Sequence, residues 1–265
     1  MKDIVLYEID KRGLAEVKLN RPEKNNAYNS DMINELIDVF KKLDADQSVR
    51  VVTISGNGKH FQAGADLEWL KSIGELSSEK NYEISKNTAE AIRGLTLFPK
   101  PTISLIHGGC FGGGTGIAAA SDIVLASKNS IFSISEARWG VMAGIIIPHL
   151  NKSINVRNVR RYALTCERFD AYEAKRIGLV HEVCEENEIE EKKNMLVEQL
   201  LLSEPKAVAL TKRRSLIEAG LVISDEKFHE LVLEHSEKRM SAEAYEGLMS
   251  FTEKRNPNWY KHKEL

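Results

Sequence analysis

The chemistry legible in this sequence gathers at two glycine corners and one glutamate. The first corner is the run His107 to Gly116, which holds six glycines in ten residues. An apolar, β-rich segment, 102–106, precedes it, and small residues suited to a closely packed helix, 117–122, follow. A helix starting near Gly113 directs unpaired N–H groups and a partial positive charge into the turn. The second corner, Ala63, Gly64, Ala65 and Asp66, has the same logic: it ends a strand, contains glycine and precedes a helix from Leu67. If the two strands are neighbours, N–H groups from both corners converge on one oxygen. Two such donors form an oxyanion hole, each worth a few kcal/mol in the transition state. The glutamate is Glu136, after a short strand and beside Arg138 and a glycine-bearing loop. Burial would move its pKa toward neutrality and fit it for general acid–base work. Taken alone, a glutamate here reads first as a surface or ion-paired residue, and a glycine-rich turn has many uses. His60 and His107, at apolar strand ends, read first as structural.

The elements that must position these groups follow from periodicity. Residues 4–9 and 14–19 read as a hairpin, and 32–44 as an amphipathic helix capped by Asn29 to Asp31. Residues 49–55 form a β-branched strand. A helix begins at 67–73, a polar mobile stretch spans 74–80, and a second amphipathic helix covers 81–97. Strands are expected at 102–106, 123–126, 130–133 and 179–183. An irregular loop at 138–150 leads into a basic helix, 155–165, and 169–177 reads as a helix ended by Gly178. Beyond Cys184 the pattern is helical throughout, at 185–202, 206–218, 225–239 and 242–254. The division expected is an α/β core, 1–184, with a C-terminal helical region, 185–265.

Composition narrows the function classes. The net charge is −2 with both signs interspersed, which argues against nucleic-acid and anionic-membrane partners. The basic residues Lys212 to Arg214, with Lys254 and Arg255, read as a solvated helix face or a contact for phosphates. Three widely spaced cysteines support neither a disulfide framework nor a zinc site. The N-terminal residues do not read as a signal peptide, and no apolar run is long enough to cross a membrane. A cytoplasmic enzyme is expected. The motifs of nicotinamide, P-loop, serine-hydrolase and zinc-protease sites do not occur.

In order and spacing, Asn20 to Pro22 with Asn26 and Ala27, Phe61 to Leu67, Gly108 to Gly114, Ser121 to Ile123, Phe132 to Glu136, Gly140, Ala174 and Gly178 to Val180 resemble the crotonase, or enoyl-CoA hydratase/isomerase, superfamily. The resemblance implies a spiral of ββα units with a C-terminal helical trimerisation region, assembling as a trimer or a hexamer. It implies acyl-CoA thioester substrates and no separate cofactor or metal. The backbone N–H groups of Ala65 and Gly113 match the family's oxyanion hole, with Ala63, Gly64, Asp66, Leu67 and Gly112 around them on the thioester and CoA. Glu136 matches the second of the hydratases' two catalytic glutamates. Arg138 and Lys254 are further contacts implied for substrate or CoA. The first glutamate belongs at position 116, where this chain has Gly116. Residues 65–70, 112–122, 133–141, 143–148, 160–171 and 178–183 are most similar to the bacterial methylglutaconyl-CoA hydratase branch. That implies a hydratase of branched 2-enoyl thioesters whose acyl group carries a second carboxylate, for which Arg138, His149 and Lys71 are candidate cations. A double-bond isomerase or a glutaconyl-type decarboxylase remains open because of Gly116, as does a non-catalytic thioester- or RNA-binding relative.

Overall fold

The computed structural model describes residues 3–261. In chain order the elements are β1 (Val5–Ile9), β2 (Leu14–Leu19), α1 (Ser30–Ala45), β3 (Val51–Gly56), α2 (Leu67–Gly74), α3 (Ser78–Leu97), β4 (Thr102–Ile106), β5 (Gly109–Phe111), α4 (Gly113–Ala120), β6 (Ile123–Ser127) and β7 (Ile131–Ser133). There follow α5 (Ile147–Thr165), β8 (Phe169–Asp170), α6 (Ala171–Ile177), β9 (Glu182–Cys184), α7 (Ile189–Leu202), α8 (Pro205–Glu218), α9 (Asp225–Arg239) and α10 (Ala242–Thr252). Glu136–Trp139 forms a 3-10 turn between β7 and α5.

Six strands form one sheet in the order β1-β2-β3-β4-β6-β9, and a second sheet has the order β5-β7-β8. The β1–β2 hairpin is antiparallel; from β2 to β9 every pairing in the large sheet is parallel. A parallel strand covered on both faces should be apolar throughout rather than alternating. β4 meets this, with all five residues buried, and so do the first four residues of β3. One face, with Val17, Val52, Ile54 and Ile106, packs into the main core with α1, α3 and α4. The other, with Val51, Ile103, Leu105 and Leu125, is covered by Val197 and neighbouring leucines of α7.

The α/β reading holds, with local differences. The stretch 74–80 is not an open segment, because the Ser77 hydroxyl caps α3 and starts it at Ser78. The strand expected over 179–183 is confined to β9, and 169–177 opens on the short β8 before α6. The basic helix begins at Ile147 rather than 155, with Asn155 as a non-helical kink inside it. α10 ends at Thr252, which leaves Lys254 beyond it with a left-handed φ of 53°. α9 packs along α3, and α10 packs on α2 and on the turn that carries Glu136. Residues 1–2 and 262–265 of the expected division lie outside the described residues.

Candidate active site

The glycine corner is not a direct strand-to-helix turn. The short strand β5 intervenes between β4 and α4, and the second corner lies alongside it. Gln62 bridges Cys110 in parallel, its N–H donating to the Gly109 carbonyl, while Phe111 N–H donates to the Gln62 carbonyl at 2.9 Å. His60 Nδ1 accepts from Gly109 N–H at 2.8 Å, and His107 Nε2 lies 2.9 Å from the Gly58 carbonyl. Both histidines thus hold the corner's backbone. Asn26 braces the same loop, donating to the carbonyls of Asn57 and His60. On its far side the 63–66 segment is tied to Tyr28, whose N–H donates to the Gly64 carbonyl.

The two corners therefore meet. A Cβ built on Gly64 would lie 3.4 Å from the Phe111 carbonyl oxygen and 4.0 Å from Gly112 Cα. Gly112 takes φ +51°, ψ −119°, a backbone shape reserved for glycine, and it turns β5 into α4. Among the described residues, the N–H groups of Ala65 and Gly113 donate to no acceptor. Both residues line one cavity, so two unpaired donors there can receive an oxygen. Gly113 is the first residue of α4, so the helix dipole adds positive potential there.

Glu136 faces this point from the second sheet. A Cβ on Gly112 would stand 3.1 Å from Glu136 Oε1. Oε2 is shut from solvent and has no hydrogen-bond partner among the described residues. Burial pushes the carboxyl up to about 7, against the lowering effect of nearby backbone N–H groups. A group poised near neutrality can both take and return a proton.

The position of the second family carboxylate is closed. A Cβ on Gly116 would fall 2.3 Å from Ile146 Cγ2 and 3.6 Å from Ile92 Cδ1. The space is packed with aliphatic carbon, so Glu136 is without a carboxylate opposite it.

A cavity of about 720 Å³ opens from these groups. Ala63, Gly64, Ala65, Leu67, Gly112, Gly113, Glu136 and Arg138 all line it. Three expected contacts do not. The Asp66 carboxylate caps α2 by accepting from Glu68 and Trp69 N–H, and it pairs with Arg21 at 2.9 Å. Gly116 sits behind the wall against Ile146, and Lys254 is exposed beyond α10. Among the candidate cations, Arg138 is at the exposed rim and donates to the Thr165 carbonyl. His149 is buried elsewhere, bonded to Thr96 Oγ1, and burial holds it down at about 4. Lys71 does not reach the cavity lining. Lys212 is neither a solvated face nor a phosphate contact, since its half-buried ammonium pairs with Asp122 at 2.7 Å. Lining residues that went unread in the sequence include Tyr28, Ile146, His235 and Arg239, and none of these carried a local signal.

Comparison with known proteins agrees with this geometry. The sequence model of the enoyl-CoA hydratase/isomerase family matches residues 10–262. The chain is 30% identical over 264 residues to the short-chain-enoyl-CoA hydratase of Clostridium acetobutylicum, covering 96% of this chain and 97% of that one. It is 33% identical over 220 residues to the peroxisomal Δ(3,5)-Δ(2,4)-dienoyl-CoA isomerase of Arabidopsis thaliana, covering 77% and 79%. The crystal structure of an enoyl-CoA hydratase from Shewanella pealeana matches with a TM-score of 0.79 at 31% identity, covering 97% and 96%. Hydratases and an isomerase thus stand side by side among the relatives. The chain belongs to the enoyl-CoA hydratase/isomerase family and has the crotonase fold.

Proposed function

We propose that this chain hydrates a branched 2-enoyl-CoA thioester, a 3-methylglutaconyl type first, with Glu136 as its single acid–base group. The observation that carries the reading is the Glu136 carboxylate, whose Oε2 is shut from solvent without a partner among the described residues, beside the free N–H groups of Ala65 and Gly113. Those N–H groups would hold the thioester oxygen and stabilise the negative charge that builds on it as water attacks C3. One carboxylate can serve both ends of the addition. It takes a proton from water as the C3–O bond forms, then returns it to C2 as the enolate collapses. The net change is addition of one water, and Glu136 finishes ionised as it began. Arg138 and Arg168 at the exposed rim suit the phosphates of CoA.

A second reading is favoured by the Ile146 wall. With no second carboxylate to orient water, the same shuttle could move a proton between C2 and C4 and shift the double bond. Mass analysis of the product from 3-methylglutaconyl-CoA and from a 3-enoyl-CoA separates the two. Gain of one water supports hydration, and an unchanged mass with a moved double bond supports isomerisation. Loss of CO₂ would sink both.

A homotrimer, or a hexamer of two, in the cytoplasm is part of the same proposal. Exposed Leu164, Leu202 and Leu210 are apolar side chains that subunit contacts would cover, and three buried free thiols suit a reducing compartment. Sedimentation of the purified protein checks the assembly.

A further inference from the structure

Arg239 ends α9 and lines the cavity, yet it is only 3% exposed. Its Nη2 donates to Ser85 Oγ at 2.7 Å and to His235 Nδ1 at 2.9 Å. His235 is half-buried, with its pKa lowered by desolvation and by the Arg239 charge, and neither acceptor supplies a negative charge. Nη1 is shut from solvent and has no partner among the described residues, and no carboxylate pairs with the guanidinium there. A buried cation without a counter-charge is costly to hold, and a planar fork of donors matches a carboxylate.

A wall of rings links this cation to the chemistry. The Tyr28 ring lies against Gly113, where a Cβ would come within 2.6 Å of Cε1. Trp69 meets Tyr28 edge-on at 5.6 Å between centroids and is pinned by its Nε1 donating to Ser30 Oγ. The Arg239 guanidinium stands over Trp69, 5.8 Å from the ring centroid. An acyl chain whose thioester oxygen sits between Ala65 and Gly113 could run along Tyr28 toward Arg239.

We infer that Arg239 is a receptor for a second, distal carboxylate on the acyl group, so that the site selects dicarboxylic thioesters over neutral ones. This deepens the proposed function and rests on its placement of the thioester at the two glycine corners, though not on which reaction follows.

Saturated thioesters isolate recognition from chemistry, because they cannot be hydrated or isomerised. Succinyl-, glutaryl- and adipyl-CoA are compared by calorimetry with butyryl-, valeryl- and hexanoyl-CoA on the intact protein. At least one dicarboxylic member should bind about ten-fold or more tightly than its neutral counterparts. In Arg239→Gln that preference should vanish, with neutral thioesters held as before, and Arg239→Lys should keep part of it. Equal affinity of wild type for both series overturns the inference, and needs no variant to fold. Loss of both series equally in a folded Arg239→Gln would make Arg239 a packing residue and also overturn it. Failure of all six thioesters to bind would overturn the thioester placement itself.

Discussion

At the scale of single residues, the proposed chemistry turns on one carboxyl group and on what surrounds it. Burial raises Glu136 to about 7, while an unfolded chain leaves it at its ordinary value of 4.5. Between those values the folded protein holds a proton that the unfolded chain has released. The extra stability is therefore present at low pH and is lost as pH rises through about 7, by up to about 3 kcal/mol. Glu136→Gln removes that loss, so its melting temperature should exceed wild type by more at pH 8 than at pH 5. The same change should lower turnover by about a thousand-fold, since it removes the group proposed to take the proton. In wild type, kcat/KM for hydration should fall as pH drops through about 7, because the base must be ionised to receive a proton from water. A profile flat from pH 6 to 8 would take the acid–base role from Glu136. Gly116 is decided by contact. Gly116→Ala drives a methyl into Ile146 and should cost about 1–3 kcal/mol by denaturant unfolding. Pairing it with Ile146→Ala should return most of that cost, and failure of the pair to couple would mean the wall yields freely.

At the scale of elements, backbone approach sets how the site is closed. A Cβ on Gly247 of α10 would lie 2.3 Å from the Trp139 carbonyl oxygen, in the turn that begins at Glu136. α10 thus rests on the turn that carries Glu136, with no side chain between them at that point. Gly247→Ala should part the two, lowering both stability and kcat by measurable amounts, and normal values for both would show that the turn is positioned from elsewhere. This contact explains how the sequence could be legible in one half of the site and opaque in the other. The two glycine corners were readable because their glycines and flanking apolar strands are local, covering only a few residues each. Glu136 was readable by its resemblance, and its burial was not, because that depends on α10 more than a hundred residues later. The short strand β5 was hidden in the glycine run because three residues show no period. Ser77 capped a helix where serine-rich composition suggested an open loop.

At the scale of the whole molecule, the cavity is walled by both ends of the chain. Tyr28 comes from before α1, and His235, Arg239 and Phe251 come from α9 and α10. In sequence, Arg239 lies among the alternating charges of 225–239, where it looks like any solvated helix residue. Only the packing of α9 on α3 turns it inward, against Ser85. If Arg239 receives the acyl group as inferred, ligand binding couples to the C-terminal helices. A thioester that touches the glycine corners and Arg239 together binds only the state in which α9 and α10 are docked. Saturating ligand stabilises that state by about 2.7 kcal/mol at a hundred times Kd. Amide exchange with a tight-binding saturated thioester should therefore slow most in α9 and α10, and by less in the sheet, which opens only on global unfolding. Protection confined to α4 and the 63–66 corner would mean that the acyl chain ends short of α9, and that the C-terminal helices only cover the site.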